Sequence, residues 1–220
     1  MDILKQLSQE LNLPESQVSS AVQLMDQGNT IPFIARYRKE ATGSLDDQVL
    51  RRLQERLEYL RSLEKRREDI SSAIQAQEKL TPELETAISA AATLTELEDI
   101  YRPFRPKRKT RASAARERGL EPLAAWIFSQ QPGDPLEKAA AFVSEENGAP
   151  SPEAAIDGAR DIVAEDISDN AAIRRDLRAF TFRTGVLTVK AADPDVSSVY
   201  ETYYDFSEPV HKAASHRVLA

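Results

Sequence analysis

The alternation of apolar and polar positions is most regular between Ile31 and Gln77. From Asp46 to Gln77 there is neither Gly nor Pro, and Val49, Leu50, Leu53, Leu57, Leu60, Leu63, Ile70 and Ile74 recur at steps of three and four. That spacing keeps them on one side of a 3.6-period helix. Some thirty residues at about 1.5 Å each make a rod about 45 Å long, along which shorter helices must pack. A strict heptad through Leu50 and Leu57 would continue to Glu64 and Ser71, but the stripe slips back to Leu63 and Ile70. This drift belongs to a straight helix at the centre of a globular bundle and not to a coiled-coil dimer. Arg51, Arg52, Arg56, Arg61, Lys65, Arg66 and Arg67 fall mostly on the other faces, interleaved with Glu55, Glu58 and Glu64, which is the pattern of a solvated helix surface.

Two short helices precede the rod. Ile3, Leu4, Leu7 and Leu11 form one stripe, and a helix opening at Pro14 carries Val18, Ala21, Val22 and Met25 until Gly28 ends it. Their tight Asn-Leu-Pro joint has the form of a helix-turn-helix unit. The second helix carries no Lys or Arg from Pro14 to Gly28, so packing is the better reading than recognition of a DNA groove. Thr30 is placed to cap the next helix, with Pro32 in its first turn and Phe33, Ile34 and Tyr37 on a common face. Two readings stand for it. It is an apolar wedge pinned on the long helix, with Arg36 or Arg38 satisfying carboxylates or helix-end carbonyls, or those arginines are set out for phosphate.

Downstream, Thr81-Pro82-Glu83 starts a helix with Leu84, Ala87, Ile88 and Ala91 on its stripe, and Thr95 starts another that buries Leu94, Leu97, Ile100 and Tyr101. This last helix stops at Arg102, because Pro103 and Pro106 each bias the preceding residue away from the α region. The result is an extended, proline-stiffened loop, RPFRPKRKTR, before an Ala-rich helix from Thr110 to Gly119. Leu120, Leu123, Ala124, Trp126 and Ile127 form a further buried helix, with Trp126 read as core and not as a base-stacking residue. Asp134-Pro135 and Ser151-Pro152 then open two more. These are expected to bury Leu136, Ala140, Phe142 and Val143, then Ile156, Ala159, Ile162, Val163 and Ile167, with Gly158 marking a close helix crossing. Ala171 to Phe182 carries Ile173, Leu177 and Phe180. The period then changes: Val186 to Val189 is β-forming between Gly185 and an Asp-Pro-Asp turn, and Val199 to Phe206 is aromatic-rich, so a short strand paired in a hairpin is expected. Tyr200, Tyr203, Tyr204 and Phe206 could instead form a docking seam for further domains.

The fold class is therefore mainly α, a multi-helix bundle around one long central helix with a short β element near the C-terminus. Three regions are expected: residues 1–118, a second helical subdomain over 119–185, and a β or irregular segment over 186–220. Composition agrees with a helix-rich chain, 41% hydrophobic with seven Gly in 220 residues. The lack of cysteine excludes disulfide and thiol chemistry and fits an intracellular address. No segment approaches the roughly twenty apolar residues of a membrane span, and the N-terminus lacks the form of a signal peptide, so a cytoplasmic protein is expected.

Charge changes the picture more. The net charge is −7, yet Arg102, Arg105, Lys107, Arg108, Lys109, Arg111, Arg116 and Arg118 stand against Glu117 alone between Arg102 and Arg118. A basic island in an acidic chain is the footprint of a partner surface. Arg102, Arg105, Lys107, Arg108, Lys109 and Arg111, with Tyr101 and Phe104 available to stack, have the ingredients of a phosphate-tracking segment. The competing reading docks the loop on the protein's own acidic surface or on a protein partner.

The strings NTIPFIARYRKEATGSLDD, RLEYLRSLEKRRE, LTPELETAI, TELEDIYRPFRPKRKTRASAARERGLEPLA and GARDIVAEDISDNAAIRRDLR resemble, in the same order, the N-terminal half of the Tex family of bacterial transcription accessory proteins. The resemblance covers nearly the whole chain. It implies a role beside transcription, since Tex is similar to a eukaryotic elongation factor that binds histones and RNA polymerase. It also implies that the family architecture continues into an RNase H-like domain, helix-hairpin-helix elements and an OB-fold domain that supplies most nucleic-acid binding. The final YYDFSEPVHKAASHRVLA resembles the segment leading into the RNase H-like domain, so the chain is expected to be a fragment without those domains, cut inside a helix capped by Ser215.

No catalytic constellation is present. His211 and His216 lie five apart, a poor spacing for a shared metal, and the pairs Asp46/Asp47 and Glu145/Glu146 sit where helix starts or solvated charge explain them. No enzyme activity, metal or cofactor is expected. Two functions follow: a Tex-like N-terminal region that contributes to binding RNA or DNA and the transcription complex, with RNA polymerase or other transcription proteins as partners, or a scaffold for such proteins or its own downstream domains that touches no nucleic acid. No membrane partner is expected.

Overall fold

The computed structural model describes residues 2–106, 108–145 and 148–219. It is mainly α-helical, with one two-stranded antiparallel sheet near the C-terminus. The chain divides into two compact units, Met1–Glu98 and Asp99–Ala220.

The first unit is organised on the long helix anticipated from the apolar stripe. Helices α1 (Ile3–Leu11), α2 (Glu15–Asp26), α3 (Ile31–Tyr37) and α4 (Lys39–Thr42) precede α5 (Asp47–Gln75), with α6 (Pro82–Ala90) and the first part of α7 (Leu94–Tyr101) after it. Asp46 caps α5 by accepting the Val49 N–H at 2.8 Å. Leu50, Leu53, Leu57, Leu60, Leu63, Ile70 and Ile74 are all buried on a helix that packs against α1, α2, α3 and α6, where Leu7, Val18, Ala21, Val22, Ile31, Ile34 and Ile88 are buried too. At about 1.5–3 kcal/mol for each fully buried aliphatic side chain, this seam dominates the stability of the unit. Its edges are clamped by two ion pairs. Arg56 holds Glu10 of α1 at 2.5 Å and Arg61 holds Asp26 of α2 at 2.7 Å, and these guanidinium hydrogen bonds draw both carboxyls below their ordinary range. Gly43, at φ 63°, ends α4 in a left-handed conformation that L side chains rarely adopt.

Helix α3 departs from expectation. Thr30 sits at the N-cap position without a side-chain hydrogen bond, and only Ile31 and Ile34 are buried. Phe33 and Tyr37 are 37% and 58% exposed, so the common face does not go into the core. On a seven-residue helix, Ile31 and Ile34 already fill the side that meets α5, and the rings fall on the adjacent flank.

The second unit contains α8 (Arg111–Glu117), α9 (Glu121–Phe128), α10 (Pro135–Ala140), α11 (Pro152–Asp169), α12 (Ala171–Thr184), β1 (Val186–Lys190), β2 (Asp205–Pro209) and α13 (Ser215–Leu219). Its core gathers Ala112, Ala115, Leu120, Leu123, Ala124, Ala139, Ala155, Ala159 and Ile162, with Trp126 and Phe142 packed half-buried against it. Small residues dominate because α11 lies close to α8 and α9. A Cβ built on Gly158 would meet Leu120 Cδ1 at 2.5 Å and Ala115 Cβ at 3.4 Å, the close crossing anticipated there. The stripe expected on α11 holds at Ala159 and Ile162, with Ile156 and Val163 half-buried, whereas on α10 and just after it Leu136 and Val143 are exposed. Ala139 is buried while Ala140 is exposed, and on α11 Ala155, Gly158, Ala159 and Ile162 face inward while Ile167 is exposed. Ile173, Leu177 and Phe180, the apolar positions that α12 carries, are exposed. Strand β1 pairs with β2 from Val186↔Pro209 to Lys190↔Asp205, a hairpin as expected, but of the aromatic-rich segment from Val199 to Phe206 only Asp205 and Phe206 enter the strand, and Glu201–Tyr203 is a 3-10 turn.

Candidate nucleic-acid interface

The basic segment is held between α7 and α8. Helix α7 ends at Tyr101, but Arg102–Phe104 coils into a 3-10 turn instead of extending. Pro103 sits within that turn, where its fixed φ is compatible and its missing N–H costs nothing. The chain becomes extended at Arg105, ahead of Pro106, as the bias before proline requires. Thr110 then caps α8: it accepts the Ser113 N–H at 3.0 Å, and Ser113 Oγ accepts the Thr110 N–H at 2.9 Å.

Opposite this segment lies a stripe that composition alone did not flag. Asp161, Glu165 and Asp169 recur every four residues along α11, on one helical face. Arg102 Nε donates to Asp169 Oδ1 at 2.7 Å, and Arg111 lies 3.5 Å from Asp161 with its side chain 88% exposed. Glu165 accepts from Thr110 Oγ1 at 3.0 Å and from Arg116 at 2.7 Å, while Arg116 also reaches Asp166 at 2.6 Å. The Glu165 hydrogen bond raises the Arg116 pKa further, so that guanidinium is permanently charged. Lys109 pairs with Glu117 at 2.9 Å. Arg105 and Arg108 join Arg102 and Arg111 around a cavity of about 530 Å³ that also takes in the three α11 acids. Arg108 is exposed and makes no ion pair among the described residues. Lys107, also a candidate, lies outside the described residues.

A second buried charge braces this unit. Asp99, 5% exposed, accepts from Arg174 Nε at 2.6 Å and from Arg178 at 2.5 Å. Burial pushes its pKa upward, but the two guanidinium hydrogen bonds outweigh that and hold it below the ordinary aspartate range. Asp99 occupies a position on α7 next to the apolar stripe. Glu96 and Glu98 share this short helix, so only the place of Asp99 beside the apolar stripe and the i,i+4 arginine pair on α12 single it out.

In the first unit the arginines of α3 stand differently. Phe33 and Tyr37 have ring centroids 5.4 Å apart at 47°, Arg38 lies over Phe33 at 5.5 Å and Arg36 over Tyr37 at 6.0 Å. Neither arginine forms an ion pair among the described residues.

Residues 1–75 match the model of the Tex-like protein N-terminal domain, and residues 130–220 match the Tex central region-like model. The chain belongs to the Tex family. It is 48% identical to "Protein tex" of Bordetella pertussis over 99% of this chain and 28% of that protein. With "Transcriptional accessory protein Tex" of Neisseria gonorrhoeae it shares 43% identity over its whole length and 29% of the relative. A human "S1 RNA-binding domain-containing protein 1" is 34% identical over 60% of the chain and 13% of that protein. The chain thus spans under a third of the length of these Tex relatives. The α3 aromatic pair falls inside the first family match, whereas the basic segment lies between the two. No helix among the described residues is long and apolar enough to cross a membrane.

Proposed function

We propose that this Tex N-terminal region contributes to the binding of nucleic acid within a transcription complex, with Arg102, Arg105, Lys107, Arg108, Lys109 and Arg111 as its backbone contacts. The observation that carries this reading is the exposed cationic mouth formed by Arg111, the first residue of α8, and Arg108, on a loop whose two ends are fixed by the 3-10 turn and by the Thr110 capping box. Fixing the ends lowers the ordering cost that a flexible basic tail would carry on binding. The names of the relatives, a transcriptional accessory protein and a protein with an S1 RNA-binding domain, agree with such a role.

A scaffold reading draws on a specific observation as well: Arg102, Lys109, Arg111 and Arg116 already face carboxylates of their own unit. Under it, the island is internal bracing, and the chain serves protein partners without touching nucleic acid. Anisotropy titrations of the chain against single- and double-stranded RNA and DNA at two salt concentrations separate the two. Binding that weakens with salt, and that loses part of this dependence in Arg108→Gln/Arg111→Gln, supports the nucleic-acid reading. No binding at low salt favours the scaffold. No catalytic role is proposed.

A further inference from the structure

We infer that the exposed ring pair of Phe33 and Tyr37, edged by Arg36, Arg38 and Lys39, is a stacking platform for unpaired bases of single-stranded nucleic acid. This site lies in the first unit and is independent of the basic segment. One side of α3 is committed to the core through Ile31 and Ile34, and the flank beside it presents two rings four residues apart, Phe33 37% and Tyr37 58% exposed. Their tilt of 47° at 5.4 Å is not a closed face-to-face stack. The ring area left to solvent is sequence-tolerant stacking surface, since every base has a π-face.

The cations decide the class of occupant. Arg51, Arg56, Arg61, Arg66 and Arg67 of the same unit each hold a carboxylate. Arg36, Arg38 and Lys39 hold none among the described residues, and Glu40 is the single acid between Phe33 and Thr42. Two guanidiniums lie over the rings, where cation–π attraction positions them without neutralising them. Rings beside uncommitted cations match a base and its phosphate.

The test uses the whole chain and three labelled probes: a short oligouridylate, the matching oligothymidylate and an abasic strand of equal length. Phe33→Ala/Tyr37→Ala is expected to weaken both base-bearing probes by roughly tenfold while leaving the abasic strand unchanged. Phe180→Ala, which removes a ring 55% exposed on α12, is expected to change nothing. Since Phe33 and Tyr37 are outside the core, thermal melts of the double variant should keep one cooperative transition within a few degrees of the parent's. Unchanged oligonucleotide affinity in that variant overturns the inference and leaves the patch as a protein-docking surface. Equal weakening of the abasic strand, or no preference of the parent for bases over the abasic strand, overturns it too. Failure of the basic segment is read separately, from the salt dependence of Arg108→Gln/Arg111→Gln.

Discussion

The segment from Arg102 to Arg116 and the stretch from Phe33 to Lys39 are both rich in arginine, yet they spend it differently. In the first, a helical stripe of acids takes up most of the guanidiniums and leaves Arg108 and the outer face of Arg111 at the surface. In the second, the guanidiniums lie over aromatic rings and keep their charge unopposed. Local charge density therefore does not rank the two as contact surfaces. What ranks them is the partner that each cation already has.

The largest test of this contrast lies within α3 itself. Ile34→Ala removes a fully buried side chain and should cost about 2–5 kcal/mol in urea unfolding, whereas Phe33→Ala on the flank should cost under about 1 kcal/mol. Comparable losses would mean that the rings are part of the core. Next comes Arg116→Ala, which removes the guanidinium shared by Glu165 and Asp166 and should cost about 1–3 kcal/mol, while Arg36→Ala should leave the unfolding midpoint unmoved. An equal loss at Arg36 would erase the distinction between paired and open arginines.

A smaller effect tests the wall that carries the acids. Gly158→Ala gains up to about 1 kcal/mol of helix propensity but drives a methyl into the buried Leu120, which overpacking costs of about 1–3 kcal/mol outweigh. Net destabilisation of about 1 kcal/mol is expected by calorimetry, and a stabilised variant would show that the crossing is looser than described. The smallest effect concerns acid. Because the folded pKa of Asp99 lies below its ordinary value, its contribution is complete above the ordinary range and is lost as pH falls through the folded value. Asp99→Asn should flatten the pH dependence of stability in that acidic window and leave it unaltered near neutrality. The α3 cations face no carboxylate partner, so oligonucleotide binding through them should not vary across the same window on that account.

Much of this could be read along the chain. The stripe from Leu50 to Ile74 specified the central helix, its Asp46 cap and its buried face, because a single long amphipathic pattern leaves few alternatives. Gly158 announced the close crossing on α11. The exposure of Phe33, Tyr37 and the α12 stripe was hidden, since periodicity states which residues share a face and not whether a neighbour covers it. The acids opposite the basic segment were legible in principle as Asp161, Glu165 and Asp169 at four-residue steps. That they meet Arg102, Arg111 and Arg116 is a long-range pairing that spacing cannot express. The coil at Arg102–Phe104 was likewise missed, because a proline forbids continuation of the α-helix but not a tighter turn.

The most direct test of this division follows affinity for single-stranded RNA against salt in two variants. Arg108→Gln/Arg111→Gln should lower the slope of log affinity against log salt by about one, while Phe33→Ala/Tyr37→Ala should weaken binding at every salt concentration and keep the slope. A loop variant with the parental slope, or a ring variant whose loss disappears as salt rises, would contradict the account.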